Sequence, residues 1–505
     1  MMNDFIINIE NPLRDKSVFE RSGFWIYQKI VQEKFYNWFG ILVLLAITVC
    51  MSIVVSNFGL IGAIVALALV VGIPSAIASF FNLKFGVVFT IFVSFFILGI
   101  KRVSGDLQVG ILMDLFIALL FFGMFVKQIE TKSWKFANNP ISKIILIWIV
   151  YNLLQSANPF AESRLAWVYT IRGAAGIMIF YFILLYTIES KKFITVLINL
   201  WIVLALIGAL YGIFQEYVGF LPFETQWIME SPERYGLLFQ AGKFRKFSFF
   251  SDPMIFGFLV AFTGILCFIL ATGPYKKILR LFYFSSGILM MMAMLFSSTR
   301  AAFVLPVAAL AFISFITLNK KLMLFGVFAV FALGVILVIP SSNPEIVRLQ
   351  SAFRPAQDPS YQTRIKNQAF IQPYIQSHPF GGGMGATGEW GKKFSPWSPL
   401  ANFPPDSGYI RTAVEMGWVG LFLQLLMIFI VLYFGIKDYF RIKDKELKNY
   451  SLGMLTVLYC LAIANFPQEA IGQYPTNLLF FVAIAIINKC RQFDETSYNL
   501  ISIEK

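Results

Sequence analysis

The sequence predicts an all-α polytopic membrane protein with about 14 transmembrane helices. Of its 505 residues, 58% are hydrophobic and only 13% are charged, whereas about a quarter of the residues of soluble globular proteins are charged. The mean hydropathy is +0.73. The apolar residues form long unbroken runs, not the alternation typical of a membrane β-barrel. Backbone polar groups within lipid must be paired inside their own segment, so these runs predict helices.

The apolar runs have the length that a bilayer requires, about 17–25 residues each. Their centres lie near 47, 69, 92, 118, 149, 178, 203, 263, 289, 309, 330, 422, 458 and 481. They predict a cytoplasmic segment at 1–36, helices 1–11 over 37–339 with an outer loop near 221–252, a large extracytoplasmic loop at 340–408, helices 12–14 over 409–489, and a cytoplasmic tail at 490–505.

Topology follows from the short connections, where Lys and Arg favour the cytoplasm. With the N-terminus inside, the inside connections are 82–84, 127–135, 189–192, 275–280, 319–321 and 436–448, and all but the first are clearly basic. An even number of helices also places the basic C-terminal tail inside. The helix count and the charge rule therefore agree, and both long loops face outside.

Cysteine and histidine usage argues against a metal site. The cysteines are Cys50, Cys267, Cys460 and Cys490; all lie in or beside apolar runs, and no CxxC occurs. His378 is the single histidine. The sequence therefore predicts neither a Cys/His metal site nor a disulfide framework, and no cofactor is expected.

The predicted outer face is unexpectedly basic. Arg300 and Arg172 lie near the outer ends of two predicted helices, and the outer loops add Arg234, Lys243, Arg245, Lys246, Arg348, Arg354, Arg364, Lys366, Lys392 and Lys393. We interpret this excess as a site for an anionic ligand at the membrane interface, since the planar guanidinium suits phosphate groups. The alternative for any one of these residues is that it reaches lipid headgroups or water.

Four stretches follow one another along this face. They are KFRKFSFFSDPMIFGFLVAF at 243–262, SSTRAAFV at 297–304, YQTRIKNQAFIQPYIQSHPFGGGMG at 361–385 and PPDSGYIRTAVEMGWVGLFLQLL at 404–426. In order and spacing they resemble the Wzy/WaaL superfamily, the O-antigen polymerases and O-antigen ligases. The matching residues are Arg245, Ser251, Asp252, Pro253, Ser298, Arg300, His378, Pro379, Gly383, Gly385, Asp406, Tyr409, Glu415, Gly417 and Gly420. The resemblance covers about 240–430.

The resemblance implies a metal-independent glycosyltransferase with a GT-C-like fold in the bacterial inner membrane, its active face periplasmic. It implies an undecaprenyl-pyrophosphate-linked oligosaccharide as donor and a glycan or lipid A-core as acceptor. Membrane lipids and a polysaccharide chain-length regulator are further expected partners, and nucleic acid is not.

Residue roles follow from the same resemblance. Arg300 and Arg245 are expected to hold the pyrophosphate, and Asp406, which replaces the histidine of ligases, is the preferred general base. Arg172, Arg364, Tyr409 and Glu415 are expected to contact substrate. Asp252 and His378 stay open as alternative bases, although Asp252 is also expected to cap the helix that follows it. Glycines 381–383 predict a tight turn in preference to a phosphate cradle, and Glu415 is expected to pair with an arginine.

The sequence leaves two kinds of function open, an enzyme and a transporter. A polymerase is preferred because Asp406 replaces the ligase histidine, and a ligase is the alternative enzyme. A transporter or flippase of lipid-linked or anionic solutes would also suit many helices and buried arginines. Transporters usually show repeats and charges near the middle of the membrane, whereas these charges gather on one face and no repeat is visible. An inactive relative that scaffolds polysaccharide assembly is a third alternative.

Overall fold

A computed structural model describes residues 37–104, 110–131, 134–240, 242–341, 347, 350, 353 and 359–503. The predicted segment 1–36 lies outside these residues, as do Arg348 and Arg354 of the large loop. The described part is a bundle of long helices with one two-stranded hairpin. The predicted class, an all-α polytopic membrane protein, is confirmed.

The described helices follow one another in chain order, joined by connections of very different length. They are α1 Trp38–Leu67, α2 Ile73–Phe81, α3 Leu83–Ser104, α4 Gly110–Thr131, α5 Pro140–Leu154, α6 Arg164–Thr187, α7 Lys191–Tyr217, α8 Pro222–Met229, α9 Pro232–Leu238, α10 Pro253–Ala271, α11 Lys277–Phe296, α12 Arg300–Thr317, α13 Lys320–Val338, α14 Pro359–Ser377, α15 Gly388–Phe394, α16 Gly408–Arg441, α17 Lys445–Ala464 and α18 Thr476–Ile503. A π-helical stretch, Ala68–Gly72, joins α1 to α2, and strands β1 Phe239–Gln240 and β2 Lys243–Phe244 follow α9.

Within the described part, eleven helices are long and apolar enough to cross a membrane. Every one of the 14 predicted centres falls in a helical stretch. The three that are not among the eleven lie in the shorter apolar stretch Val65–Phe81, in α13 and in α18. Among the described residues, 11 helices are therefore long and apolar enough to span a membrane, compared with the 14 predicted apolar runs.

Helix α10 is the centre of the bundle. Its membrane-spanning stretch is 83% buried, the largest share among the candidate spans of the described part, and it is apolar on all sides, as a helix surrounded by other helices should be. The indole Nε1 of Trp201 in α7 donates to Thr263 Oγ1 in α10 at 2.9 Å. The outer helices instead expose apolar side chains such as Phe122, Phe315 and Phe429, which suits lipid contact.

The two long segments that the sequence places outside contain regular secondary structure in their described parts. Residues 221–252 contain α8, α9 and the β1–β2 hairpin. The large loop contains α14, α15 and a short 3-10 turn at Pro399–Asn402. A small cluster of buried apolar residues holds α14 against the start of α16: Ile371, Ala386, Leu400, Phe403 and Val414.

Charged residues of the predicted cytoplasmic connections meet at one end of the bundle. Lys84 pairs with Glu189 at 2.7 Å, and Lys191 contacts Asp444 and Glu446 at 2.8 Å each. Partial burial alone would raise the pKa of Asp444, but hydrogen bonds from Lys191 and from backbone amides outweigh it. The pKa of this carboxyl is therefore below its usual value.

Residues of different predicted outer segments also contact one another. Arg102 donates to the Ser248 carbonyl oxygen at 2.8 Å, and Arg411 donates to Glu469 at 2.7 Å. Segments that the charge rule assigns to one side of the membrane are therefore neighbours in the fold. The predicted site residues Arg172, Arg245, Arg300, Arg364 and Asp406 all belong to the predicted outer set.

Candidate functional site

Helix α16 is broken at Gly417, and the break shapes the site. Gly417 has φ 71° and ψ −179°, in the left-handed region that favours glycine. A Cβ at this position would overlap the carbonyl oxygen of Pro379. The peptide groups freed by the break find other partners: Tyr151 donates to the Met416 carbonyl oxygen at 2.6 Å, and the Val419 amide donates to Pro379 at 3.3 Å.

The glycine-rich turn at 381–385 lies against this break. Gly381, Gly383 and Gly385 have φ values of 71°, 93° and 77°, which confirms the predicted tight turn. The amide of Gly382 donates to Val414 and that of Gly383 to Glu415, at 2.9 and 2.8 Å. These amides are engaged by the helix, so the turn is not arranged as a phosphate cradle.

Glu415 is the buried anchor between the turn and the helix. Glu415 is only 5% exposed. Its carboxylate accepts hydrogen bonds from the Gly385 amide at 3.0 Å and from the amide and hydroxyl of Thr387. Arg411, one helical turn earlier, donates to it at 3.2 Å and also reaches Glu469. The expected pairing of Glu415 with an arginine is confirmed.

A cavity of about 390 Å³ opens beside this network, between α4, α6, α16 and the loop from α17 to α18. We name it the α6–α16 cavity. Arg172 and Glu415 both line it, so the structure brings together these two predicted substrate-binding residues. Arg172 pairs with Asp114 of α4 at 2.8 Å, and its guanidinium lies 6.0 Å from the Tyr169 ring.

A second, smaller cleft of about 130 Å³ holds Asp406 and Arg364. The Arg364 guanidinium lies 3.8 Å from the Asp406 carboxylate, and the two side chains are 29% and 43% exposed. Ser407 lines this cleft and Gly408 lines the α6–α16 cavity. The two spaces are therefore neighbours on either side of one turn, and Asp406 is accessible from its own cleft.

Arg245 contacts the turn between α11 and α12, which Arg300 directly follows. Arg245 donates through Nε to the Ser297 carbonyl oxygen at 3.2 Å and through Nη2 to Thr299 Oγ1 at 3.0 Å. Arg300 is the next residue and begins α12. The Thr299 hydroxyl also donates to the Pro253 carbonyl oxygen at 2.9 Å. This pair of predicted pyrophosphate ligands is thereby held next to the start of α10.

The alternative bases have other partners. Asp252 caps α10, as predicted: its Oδ1 accepts from the amides of Met254 and Ile255, and its Oδ2 accepts from Ser251. The His378 ring stacks on Tyr374 at 4.0 Å and accepts or donates locally at Nδ1. Both residues therefore have structural contacts that account for their positions.

Tyr409 lies apart from both spaces. Its hydroxyl donates to the Ala462 carbonyl oxygen at 2.8 Å, and its ring packs against the hydrophobic core. The structure thus ties this predicted substrate contact to helix packing between α16 and α17.

Sequence reasoning missed Arg411, Asp114, Glu469 and Tyr474, all of which line the α6–α16 cavity. Arg411 could have been found, because a residue four positions before Glu415 lies on the same helix face. Asp114 interrupts the apolar run GILMDLF, and an ionisable residue in such a run marks a candidate site. Glu469 and Tyr474 are in a loop without a periodic pattern and gave no such signal.

Comparison with known families supports the resemblance. Residues 285–425 match the Wzy_C family model, described as O-antigen ligase. The match confirms the predicted relation to the Wzy/WaaL superfamily over this part of the chain. It includes Arg300, Arg364, Asp406 and Glu415. No curated protein matches the chain.

Proposed function

We propose that this multi-pass membrane protein transfers a glycan from undecaprenyl pyrophosphate to a sugar hydroxyl. The match of residues 285–425 to the O-antigen ligase family model supports an enzyme of the ligase or polymerase type. The hydroxyl oxygen attacks the anomeric carbon of the donor. The bond from that carbon to the pyrophosphate oxygen breaks, and undecaprenyl pyrophosphate leaves. The hydroxyl proton passes to a carboxylate.

The observation that carries the proposal is the placement of Asp406. Its carboxylate is accessible within a cleft, lies 3.8 Å from the Arg364 guanidinium, and adjoins the larger cavity through residues 407–408. A general base must reach the proton that it removes, and an accessible carboxylate satisfies this condition. The carboxylate of Asp252 already accepts hydrogen bonds from the first amides of α10. This favours Asp406 as the base.

Arg245 and Arg300 are the proposed ligands of the pyrophosphate. The Arg245 side chain contacts the turn that precedes Arg300, and guanidinium groups can donate paired hydrogen bonds to phosphate oxygens. Charge builds up on the leaving pyrophosphate during the reaction, and fixed donors at that position stabilise it in the transition state. Arg364, by this assignment, positions Asp406 and contacts substrate.

We propose polymerisation as the reaction, with chain growth on a lipid-linked repeat unit. The support is the carboxylate at 406 in place of the ligase histidine. Transfer to a lipid A-core or another acceptor is the second candidate, and the description of the matching family favours it. Either reaction fits a bacterial inner membrane with the site on the periplasmic face, where the basic outer segments lie by the charge rule.

The test is a glycan ladder from cells that lack the gene and are complemented with wild type, Asp406→Asn or Arg300→Ala. Arg280→Ala, an exposed arginine of a predicted cytoplasmic connection, is the matched control. We expect Arg280→Ala to restore the ladder and the two site variants to fail at equal membrane abundance. Single repeat units would identify a polymerase, and long chains retained on the lipid carrier would identify a ligase. An unchanged ladder in the deletion strain would refute both.

A further inference from the structure

The α6–α16 cavity has an unusual balance of charge. Three carboxylates line it, from Asp114, Glu415 and Glu469, against two guanidinium groups, from Arg172 and Arg411. Both arginines already have partners: Arg172 pairs with Asp114, and Arg411 contacts Glu415 and Glu469. A pyrophosphate would add further negative charge next to an excess of carboxylate, and repulsion would oppose its binding. The cavity is therefore poorly suited to the pyrophosphate and suited to a ligand without strong charge.

Among the described residues, three buried polar atoms of the wall lack hydrogen-bond partners, and one of them, Arg172 Nε, lies 2.8 Å from its ion-pair partner Asp114. The other two, the Tyr474 hydroxyl and Gln424 Oε1, have no such charged partner. Buried polar atoms of native proteins are nearly always satisfied, so an orphan of this kind calls for an explanation. A ligand that carries hydroxyl groups would satisfy both, since a hydroxyl both donates and accepts. Further neutral polar groups line the same space, namely Thr170, Thr412, Asn465 and Asn477.

One side of the cavity is aromatic. The rings of Tyr169 and Trp390 lie 4.7 Å apart at 32°, and Phe394 lies 5.0 Å from Tyr169. Tyr169 and Trp390 both line the cavity. The C–H groups on one face of a sugar ring pack well against such a surface, while the ring hydroxyls stay free to meet the polar wall.

The cavity changes from polar to apolar with depth. In α6, Met178 follows Arg172 by six residues, which is about 9 Å along the helix axis. Met178, Met427 and Phe481 line the deeper part and are 7%, 5% and 5% exposed. These side chains belong to the packed core and not to the lipid-facing surface. The apolar base therefore limits the depth of the cavity, and Gln424, three residues before Met427 in α16, is the polar group next to this base.

We propose that the α6–α16 cavity is a saccharide subsite that holds a sugar ring between the Tyr169–Trp390 surface and the Tyr474–Gln424 wall, separate from the pyrophosphate site at Arg245 and Arg300. The inference rests on the proposed function for the origin of the glycan, and it assigns Arg172 and Glu415 to the sugar. The paired carboxylates and guanidiniums then act as fixed hydrogen-bonding groups for ring hydroxyls.

Direct binding tests this assignment without relying on turnover. The probes are the repeat-unit oligosaccharide released by mild acid from the polysaccharide of the source strain, and inorganic pyrophosphate. Each is titrated calorimetrically into the purified full-length protein in nanodiscs. Trp390→Ala should weaken oligosaccharide binding by about tenfold or more, and Tyr474→Phe by about three- to tenfold. Neither should change pyrophosphate binding.

The control is Trp397→Ala. Trp397 follows Trp390 in the same loop, is 69% exposed and lies outside the cavity lining, so its loss should leave oligosaccharide binding as in wild type. Arg300→Ala should weaken pyrophosphate binding alone. Oligosaccharide binding that is absent, or that is unaffected by both cavity variants, would overturn the inference. So would a loss of pyrophosphate binding in Tyr474→Phe.

The same data separate this inference from the proposed function. Oligosaccharide binding through the cavity in a protein whose deletion leaves the glycan ladder unchanged would retain the saccharide site and reject the transferase. Suppose instead that the deletion alters the ladder and that Trp390→Ala and Tyr474→Phe both restore it. This outcome would retain the transferase and reject the saccharide site.

Discussion

The amide of Gly385 donates a 3.0 Å hydrogen bond to the carboxylate of Glu415, thirty residues further along the chain. This contact fixes the glycine-rich turn of the large loop to the broken helix α16. Because Glu415 also accepts from Thr387 and Arg411, a single buried carboxylate links the loop, the helix and the wall of the α6–α16 cavity.

Replacement of Glu415 should therefore destabilise the end of the bundle where the large loop packs against α16. In Glu415→Ala, Arg411 keeps only Glu469, and the amides of Gly385 and Thr387 lose their acceptor. Removal of one partner from a buried ion pair costs about 3 kcal/mol or more. We expect a clear fall in the thermal unfolding temperature in detergent. Glu389→Ala, at an exposed position of the same loop, should unfold as wild type does, and equal stability of the two variants would contradict the prediction.

The break at Gly417 should not tolerate a side chain. Gly417→Ala would place a Cβ against the Pro379 carbonyl and would need a left-handed backbone, which together cost at least about 2 kcal/mol. Gly176→Ala, in α6 with no atom within 4 Å of the added Cβ, is the matched control. We expect reduced membrane yield and thermal stability only for Gly417→Ala, measured by fluorescence-detected size exclusion after heating.

Replacement of Thr299 should affect pyrophosphate binding, because its hydroxyl accepts a hydrogen bond from Arg245. Its hydroxyl accepts from Arg245 and donates to the Pro253 carbonyl oxygen, and Thr299→Val leaves both groups without this partner at nearly constant volume. An unsatisfied buried group costs about 1–3 kcal/mol. If Arg245 binds the pyrophosphate, Thr299→Val should also weaken inorganic pyrophosphate binding. Thr317→Val, at the other end of α12, should leave that binding unchanged, and equal affinities in both variants would argue against this role for Arg245.

The opposite end of the bundle provides a pH test. The pKa of Asp444 is below its usual value, so the folded state favours its ionised form. The stabilisation is present above the unfolded-state pKa, about 3.9, and is lost as the pH falls through the lower folded-state value. The unfolding temperatures of wild type and Asp444→Asn should therefore differ near neutral pH and converge below about pH 4. A difference that persists in acid would contradict the assignment.

The sequence by itself predicted the class of fold and the side of each connection. Apolar runs that are long and do not alternate favour helices over a barrel in lipid, and the basic short loops mark one face. All 14 predicted centres lie in helices, and residues assigned to one side, such as Lys191 and Asp444, are in contact. Local chemistry also predicted the Asp252 cap and the glycine turn, because both depend on neighbours in the chain.

Only the tertiary structure decided which distant residues share a site. Arg172 and Asp114 meet across two helices, and Arg411 reaches Glu469 from a different loop. Arg364 lies by Asp406, whereas Arg245 lies at the turn before Arg300. Hydropathy determines that a segment crosses the membrane, but it does not determine which face of the helix meets which neighbour. Which faces meet depends on packing between helices far apart in sequence. This packing separates the turn before Arg300, the Asp406 cleft and the α6–α16 cavity.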